Sequence, residues 1–345
     1  MVVTAAVETT EKAPGGMRPL DPTRDLKSVA DLISEAFADQ MDERGRAALR
    51  ELRWMARLSP LVWWWSQADP SFQDAFNGFV WEEPSAKGRG RQVVGNVNLN
   101  RAPGSRRRYI ICNVVVQDVY RGQGIGRRLT ERATAEAEAL GAQGVVLQVH
   151  EDNRPALRLY IDLGFQEATG EVDLRLEAAK SVAILDAPGY RFQTWRPTDG
   201  QATYQLAQMA TPSAQQWLRP LKMDDYQPGW GSRLVQRLVD LMAGRRVYRL
   251  NTFWDDRLVA TMAMTAAFRQ GEHRLNILVH PEHTGQVEAG LISRALHMLA
   301  AIPPRPVRVT VSKEHTAALK VLRDYGFQEQ RTLLTLWKDF VKEAG

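Results

Sequence analysis

Six residues, Arg121-Gly122-Gln123-Gly124-Ile125-Gly126, stand between a run of three valines, Val114-Val115-Val116, and a stretch in which Ile125, Leu129, Ala133, Ala137 and Leu140 share one helical face. A glycine turn at a helix N-terminus presents successive backbone N–H groups, and the partial positive charge there favours a bound phosphate. Glycine lets that phosphate approach the backbone closely. Spacing narrows the choice. A dinucleotide fingerprint needs G-x-G-x-x-G, whereas these glycines run G-x-G-x-G with Arg128 beyond them, and the Gly-Lys-Ser/Thr of a Walker loop is absent. Arg127 and Arg128 follow the turn, either to meet phosphate or as a solvated helix start.

Other residues with chemical potential read as structural. Cys112 lies in a strand-like run, where a buried thiol is inert. His280, Glu282 and His283 have metal-ligating side chains but fall in a loop and read as solvated, so no metal is expected. The run Trp63-Trp64-Trp65 reads as core packing, with the wall of an apolar or aromatic pocket as the alternative.

The elements that must position the glycine turn follow from periodicity. Asp21 to Phe37 reads as an amphipathic helix after a short strand at Met17 to Leu20, and Arg44 to Leu58 as a second helix. Strands are expected at Ala75 to Trp81, Gln92 to Leu99, Tyr109 to Val116 and Val145 to Val149, the last two flanking the turn and its helix. Pro155 opens a helix that stops at Gly164, and Val172, Leu174 and Leu176 alternate as a closing strand.

The same order recurs in the second half. Arg196-Pro197 restates Arg18-Pro19, and Val307, Val309 and Val311 restate Val145, Leu147 and Val149. Ala318, Leu319, Gly326 and Phe327 repeat Ala156, Leu157, Gly164 and Phe165 at one constant offset of 162 positions. The expected organisation is a tail over 1–16, a first domain over 17–176, a linker over 177–189 and a second domain over 190–345. The 345 residues are enough for two cores.

Composition excludes several classes. The net charge of +5 arises from 45 basic and 40 acidic residues spread along the chain, without the concentrated basic face that nucleic-acid binding needs. No apolar run approaches a membrane span, and the first sixteen residues lack the pattern of a secretory signal. One cysteine fits a reducing cytoplasm.

Arg121, Gly124 and Gly126 after a valine strand, with Asn153, Ala156, Leu159-Tyr160 and Gly164-Phe165 one helix and one strand later, resemble the two conserved blocks of the GNAT superfamily of acetyl-CoA-dependent N-acetyltransferases. The tandem layout resembles mycothiol synthase-like proteins. The resemblance implies an α/β (α+β) fold of two GNAT-like domains, each a central mixed sheet flanked by helices. It implies CoA pyrophosphate on the amides of Arg121, Gly122, Gln123, Gly124, Ile125 and Gly126, and pantetheine lying like an added strand along Val114, Val115 and Val116. It also implies Asn153 on the pantetheine arm and Tyr160 as the acid that protonates the departing thiolate. Many relatives carry a glutamate base on the strand before the valines. Here that strand reads Tyr109-Ile110-Ile111-Cys112-Asn113, leaving Glu82, Glu83 or a water held by Asn113 as candidates.

In the second half Val287 replaces Gly124, Glu288 follows it, and Leu322 and His315 replace Tyr160 and Asn153. A β-branched residue should block the tight turn and a carboxylate should repel pyrophosphate, so this copy is expected to bind CoA poorly. The expected function is transfer of acetyl from acetyl-CoA to a primary amine of a small molecule, by direct attack in a ternary complex. Acetylation of a protein or peptide amine and a non-catalytic acyl-CoA sensor or scaffold are the alternatives.

Overall fold

The computed structural model describes residues 15–36, 77–85, 90–103, 105 and 107–340. The expected helix at Arg44 to Leu58 and the tryptophan run at 63–65 lie outside them. The chain forms two compact units, 1–147 with 338–345, and 148–337.

In the first unit β1 (Gly16–Pro19), β2 (Gly78–Pro84), β3 (Arg91–Arg101), β4 (Arg108–Val116) and β5 (Gly144–His150) lie side by side in that order. The first three pairings are antiparallel and the last is parallel. A parallel neighbour needs a crossover, and α2 (Ile125–Ala139) provides it. α1 (Pro22–Ala36) buries Val29, Ala30, Leu32 and Ile33 with Leu20, Val80 and Val115. α2 turns Ile125, Leu129, Ala133 and Ala137 inward, all at most 3 % exposed, as their spacing requires. It packs so closely on β3 that a Cβ added at Gly95 would lie 3.0 Å from Leu129.

The second unit contains α3 (Arg154–Asp162), β6 (Gln166–Leu176), β7 (Arg191–Thr194), α4 (Gly200–Ala210), α5 (Ser213–Leu218), α6 (Met223–Tyr226), α7 (Trp230–Met242), β8 (Arg245–Trp254), β9 (Arg257–Ala267), β10 (His273–Val279), α8 (Glu288–Ala300), β11 (Val307–Ser312), α9 (Thr316–Asp324) and β12 (Gln328–Asp339). Its strands run β12-β6-β11-β10-β9-β8-β7. The core gathers Val172 and Leu174 of β6, Met262 of β9, Leu291 and Leu296 of α8, and Val307 and Val309 of β11. Both halves share one device, a parallel pair that meets only briefly. β4 and β5 pair from Arg108↔Gly144 to Ile111↔Leu147, and β10 and β11 from His273↔Val307 to Leu275↔Val309.

The sequence repeat and the compact units divide the chain at different places. Residues 148–176 end the first copy by sequence, yet they group with the second half. The reason is β6, which pairs antiparallel with β11 on one edge and β12 on the other. Residues 177–190 form neither helix nor strand. They are held on α8, where Leu185 N–H donates to Ser293 Oγ at 3.1 Å and Arg294 pairs with Asp186 at 2.6 Å.

A chain cut after Leu176 therefore leaves β6 with two unpaired edges, and exposed edges template aggregation. Expressed alone, residues 1–176 should be insoluble or melt without a cooperative transition, whereas the full chain melts cooperatively. A soluble 1–176 fragment with a sharp thermal transition would contradict this role of β6.

Candidate functional site

β4 changes course at Asn113, whose φ of 52° is left-handed. Register with β3 shifts between Asn96 and Asn98, the mark of a β-bulge. Three amide side chains hold the bend. Buried Asn96 donates from Nδ2 to the Asn113 carbonyl and to Asn98 Oδ1, both at 2.9 Å, and Asn113 Nδ2 donates to Asn98 Oδ1 at 3.1 Å. Asparagine tolerates left-handed backbone better than other side chains, and the two bonds made by Asn96 offset the remaining strain. Past the last pair, Ile111↔Leu147, β4 continues through Val116 beside β3 only. Val115 enters the α1 core, while Val114 and Val116 stay half-buried on the strand that has left β5.

The turn that follows is built from backbone. Gly122 and Gly124 have φ of 79° and 78°, and a Cβ at either would meet nothing within 4 Å. Arg121 N–H donates to Asp118 O and Arg128 N–H to Gly124 O, each at 3.1 Å. Between them, the amides of Gly122, Gly124, Ile125 and Gly126 donate to no backbone carbonyl among the described residues. α2 has no side-chain cap and no acidic residue in its first turn. The result is a set of N–H donors at a helix N-terminus without a backbone acceptor, which is what an anion needs. Arg121 folds back onto the turn, its Nε 3.1 Å from Val116 O and its Nη2 2.7 Å from Asp118. Arg127 lies 3.9 Å from Glu131, and Arg128 stacks 5.5 Å over Trp81. Gln123 is exposed at the tip.

Of the two glutamates considered as a base, Glu82 is not free for that role. Glu82 is buried and bonded to Arg18 at 2.7 Å and to Arg24. The Arg18 bond, with the charges of both arginines, holds its carboxyl below the usual range despite burial. Glu83 accepts from Trp81 Nε1 at 2.8 Å. Burial pushes the Cys112 thiol up to about 12, which removes it as a nucleophile at neutral pH.

Asn153 and Tyr160 belong to the second unit. Asn153 caps α3, its side chain accepting from Ala156 N–H at 3.3 Å ahead of Pro155. Tyr160, the buried residue of α3, packs edge-on against Phe165 at 6.0 Å. Its hydroxyl has no hydrogen-bond partner among the described residues, and burial pushes its pKa up to about 12. His150, passed over in the sequence, is half-buried at the end of β5. Burial and then the charge of Arg331 hold it below its usual range, as a neutral imidazole near pH 7.

In the second half Gly285 keeps the left-handed φ, at 88°, but Val287 has φ −117° and is fully buried. Leu322 is core. His280, Glu282 and His283 have donor atoms within 4.8 Å of one another. His283 Nδ1 bonds the Tyr190 hydroxyl at 2.9 Å, that hydroxyl donates to Gln286 at 2.8 Å, and His280 Nδ1 accepts from Glu282 N–H at 3.3 Å. No helix among the described residues is long and apolar enough to cross a membrane.

Residues 35–165 match the model of the acetyltransferase (GNAT) family. The chain is similar to mycothiol acetyltransferase of Thermobispora bispora, 31% identical over 163 residues, 46% of this chain and 49% of that protein. It is 42% identical over 59 residues to the [ribosomal protein bS18]-alanine N-acetyltransferase of Escherichia coli K12, 17% of this chain and 40% of that protein. It thus spans about half the length, or less, of the curated relatives it matches. A GCN5-related N-acetyltransferase from Sphaerobacter thermophilus shares the fold at TM-score 0.57 and 18% identity, covering 94% of this chain and 95% of that one. A tandem GNAT protein from the clavulanic acid biosynthesis pathway does so at TM-score 0.50 and 15% identity, covering 95% and 99%. Residues 35–165 thus match the acetyltransferase (GNAT) family, and the chain has the fold of two GNAT-like domains.

Proposed function

We propose that this chain is an N-acetyltransferase that takes acetyl from acetyl-CoA and delivers it to a primary amine of a small molecule. The observation that carries the reading is the open turn after β4. Its amides from Arg121 to Gly126 suit the CoA pyrophosphate, and the edge of Val114 to Val116 suits the amide-bearing pantetheine arm. Asn153 contacts that arm while capping α3. The reaction needs no acyl-enzyme. The amine nitrogen attacks the thioester carbonyl carbon, the C–S bond breaks, and the amine loses a proton to solvent.

Tyr160 is the acid. At about 12 its phenol is fully protonated at physiological pH. That is well above a thiol, whose pKa lies near ~8.5, so the hydroxyl stabilises the sulfur by hydrogen bonding as charge develops and yields its proton only as the C–S bond breaks. The phenolate then recovers a proton from solvent. The single cysteine fits work in a reducing cytoplasm. The names of the two curated relatives point to two kinds of acceptor, a thiol-bearing small molecule and a protein N-terminus, so a test panel needs a cysteinyl amine, simple amines and peptide N-termini.

Release of free CoA thiol from acetyl-CoA across that panel measures the activity. Tyr160→Phe should lower kcat by about 100-fold or more while the KM for acetyl-CoA stays within about 3-fold, the signature of a lost proton donor. Unchanged kcat would remove Tyr160 from the reaction. Acetyl-CoA that binds tightly while no amine stimulates release would instead favour the scaffold.

Gly124→Val puts a β-branched residue at φ 78°, a strain of roughly 1–2 kcal/mol per residue. Titration calorimetry should show acetyl-CoA affinity reduced by at least about 10-fold, because the backbone must leave the left-handed region and turn its amides away. Undiminished affinity would move the cofactor off this turn.

A further inference from the structure

The second glycine turn, before α8, is filled from within the chain. Glu288 opens α8 and is 1% exposed. Its carboxylate folds back over the turn, where Gly285 N–H donates to both oxygens at 2.9 Å and Val287 N–H to Oε2 at 3.2 Å. On the remaining side His315 Nε2 lies 2.8 Å from Oε1. Burial alone would favour the neutral acid, yet the His315 bond, the Gly285 and Glu288 amides and the charge of His315 outweigh it, and the carboxyl lies below its usual range. Backbone amides at a helix N-terminus facing two oxygens are the donors that the first turn leaves open.

We propose that Glu288 is a built-in anion that occupies the second turn in place of a phosphate, with His315 as its clamp, and keeps that turn shut. The inference does not rest on the activity proposed for the first half. It changes the reason the second copy should reject CoA. Repulsion by Glu288 is the smaller part, since the donors are already used.

The test uses full-length protein labelled with nitrogen-15, at saturating acetyl-CoA so that the first turn is not titrated, and inorganic pyrophosphate as the probe. In the wild type the Gly285 amide proton should resonate downfield, as expected for a bond to a carboxylate, and ignore pyrophosphate. In Glu288→Ala it should move upfield, the Tm should fall by about 5 °C or more, and millimolar pyrophosphate should restore part of both. Glu288→Gln, which keeps the shape and removes the charge, gives the same readings if the alanine variant does not fold. A Gly285 resonance unmoved by either substitution would overturn the proposal. So would a variant that loses stability but does not respond to pyrophosphate, because the packing of Val287 and not the carboxylate would then close the turn.

Discussion

The left-handed backbone at Asn113, clamped by Asn96, is the constraint on which the first half depends. A regular β4 would stay in register with β5 to its end, and its amides and carbonyls would be spent on the sheet. The bulge shifts the register, the parallel pairing stops at Ile111, and Val114 to Val116 proceed without that neighbour. Everything that makes the turn useful follows from this release, because the glycines are attached to the end of the freed strand. The clamp is uncharged. Three asparagine side chains bond one another and a carbonyl through neutral amides, so the bend adds no buried ion that would need its own compensation.

The ionic groups of the first half lie elsewhere and act structurally. Arg18 bridges Asp25 and Glu82, tying α1 to the first strands through nearly inaccessible carboxylates. Removing one member would leave a buried charge unpaired, which accounts for the unsuitability of Glu82 as a base better than its position does. A carboxylate that must remain ionised to hold α1 cannot also cycle through protonation.

The glycine turn was legible in the sequence because left-handed φ and close approach both demand glycine, and the helix behind it has a clean apolar period. Asn153 as a cap was legible from Asn before Pro. The bulge at Asn113 was not, since a single asparagine in a strand-like run specifies no bend by itself and its partner Asn96 is on another strand. The placement of β6 was not legible either. Its alternation of Val172, Leu174 and Leu176 identifies a strand but not its neighbours, and both are more than a hundred residues away. The burial that raises Tyr160 is likewise a tertiary effect, invisible to a motif that specifies only residue type.

The difference between the halves reduces to two consecutive positions. In the first, Gly124 takes φ 78° and Ile125 buries its side chain in the core, and neither amide has a backbone acceptor among the described residues. In the second, Val287 cannot hold the left-handed conformation, its side chain is the one that goes inward, and Glu288 carries its carboxylate back to the turn. The helix and strands behind the turn need no change, because only the acceptor over its amides differs, absent among the described residues in the first half and supplied by Glu288 in the second. A site made from backbone can therefore be closed by one side chain in register with it, and the fold that built the site survives its loss.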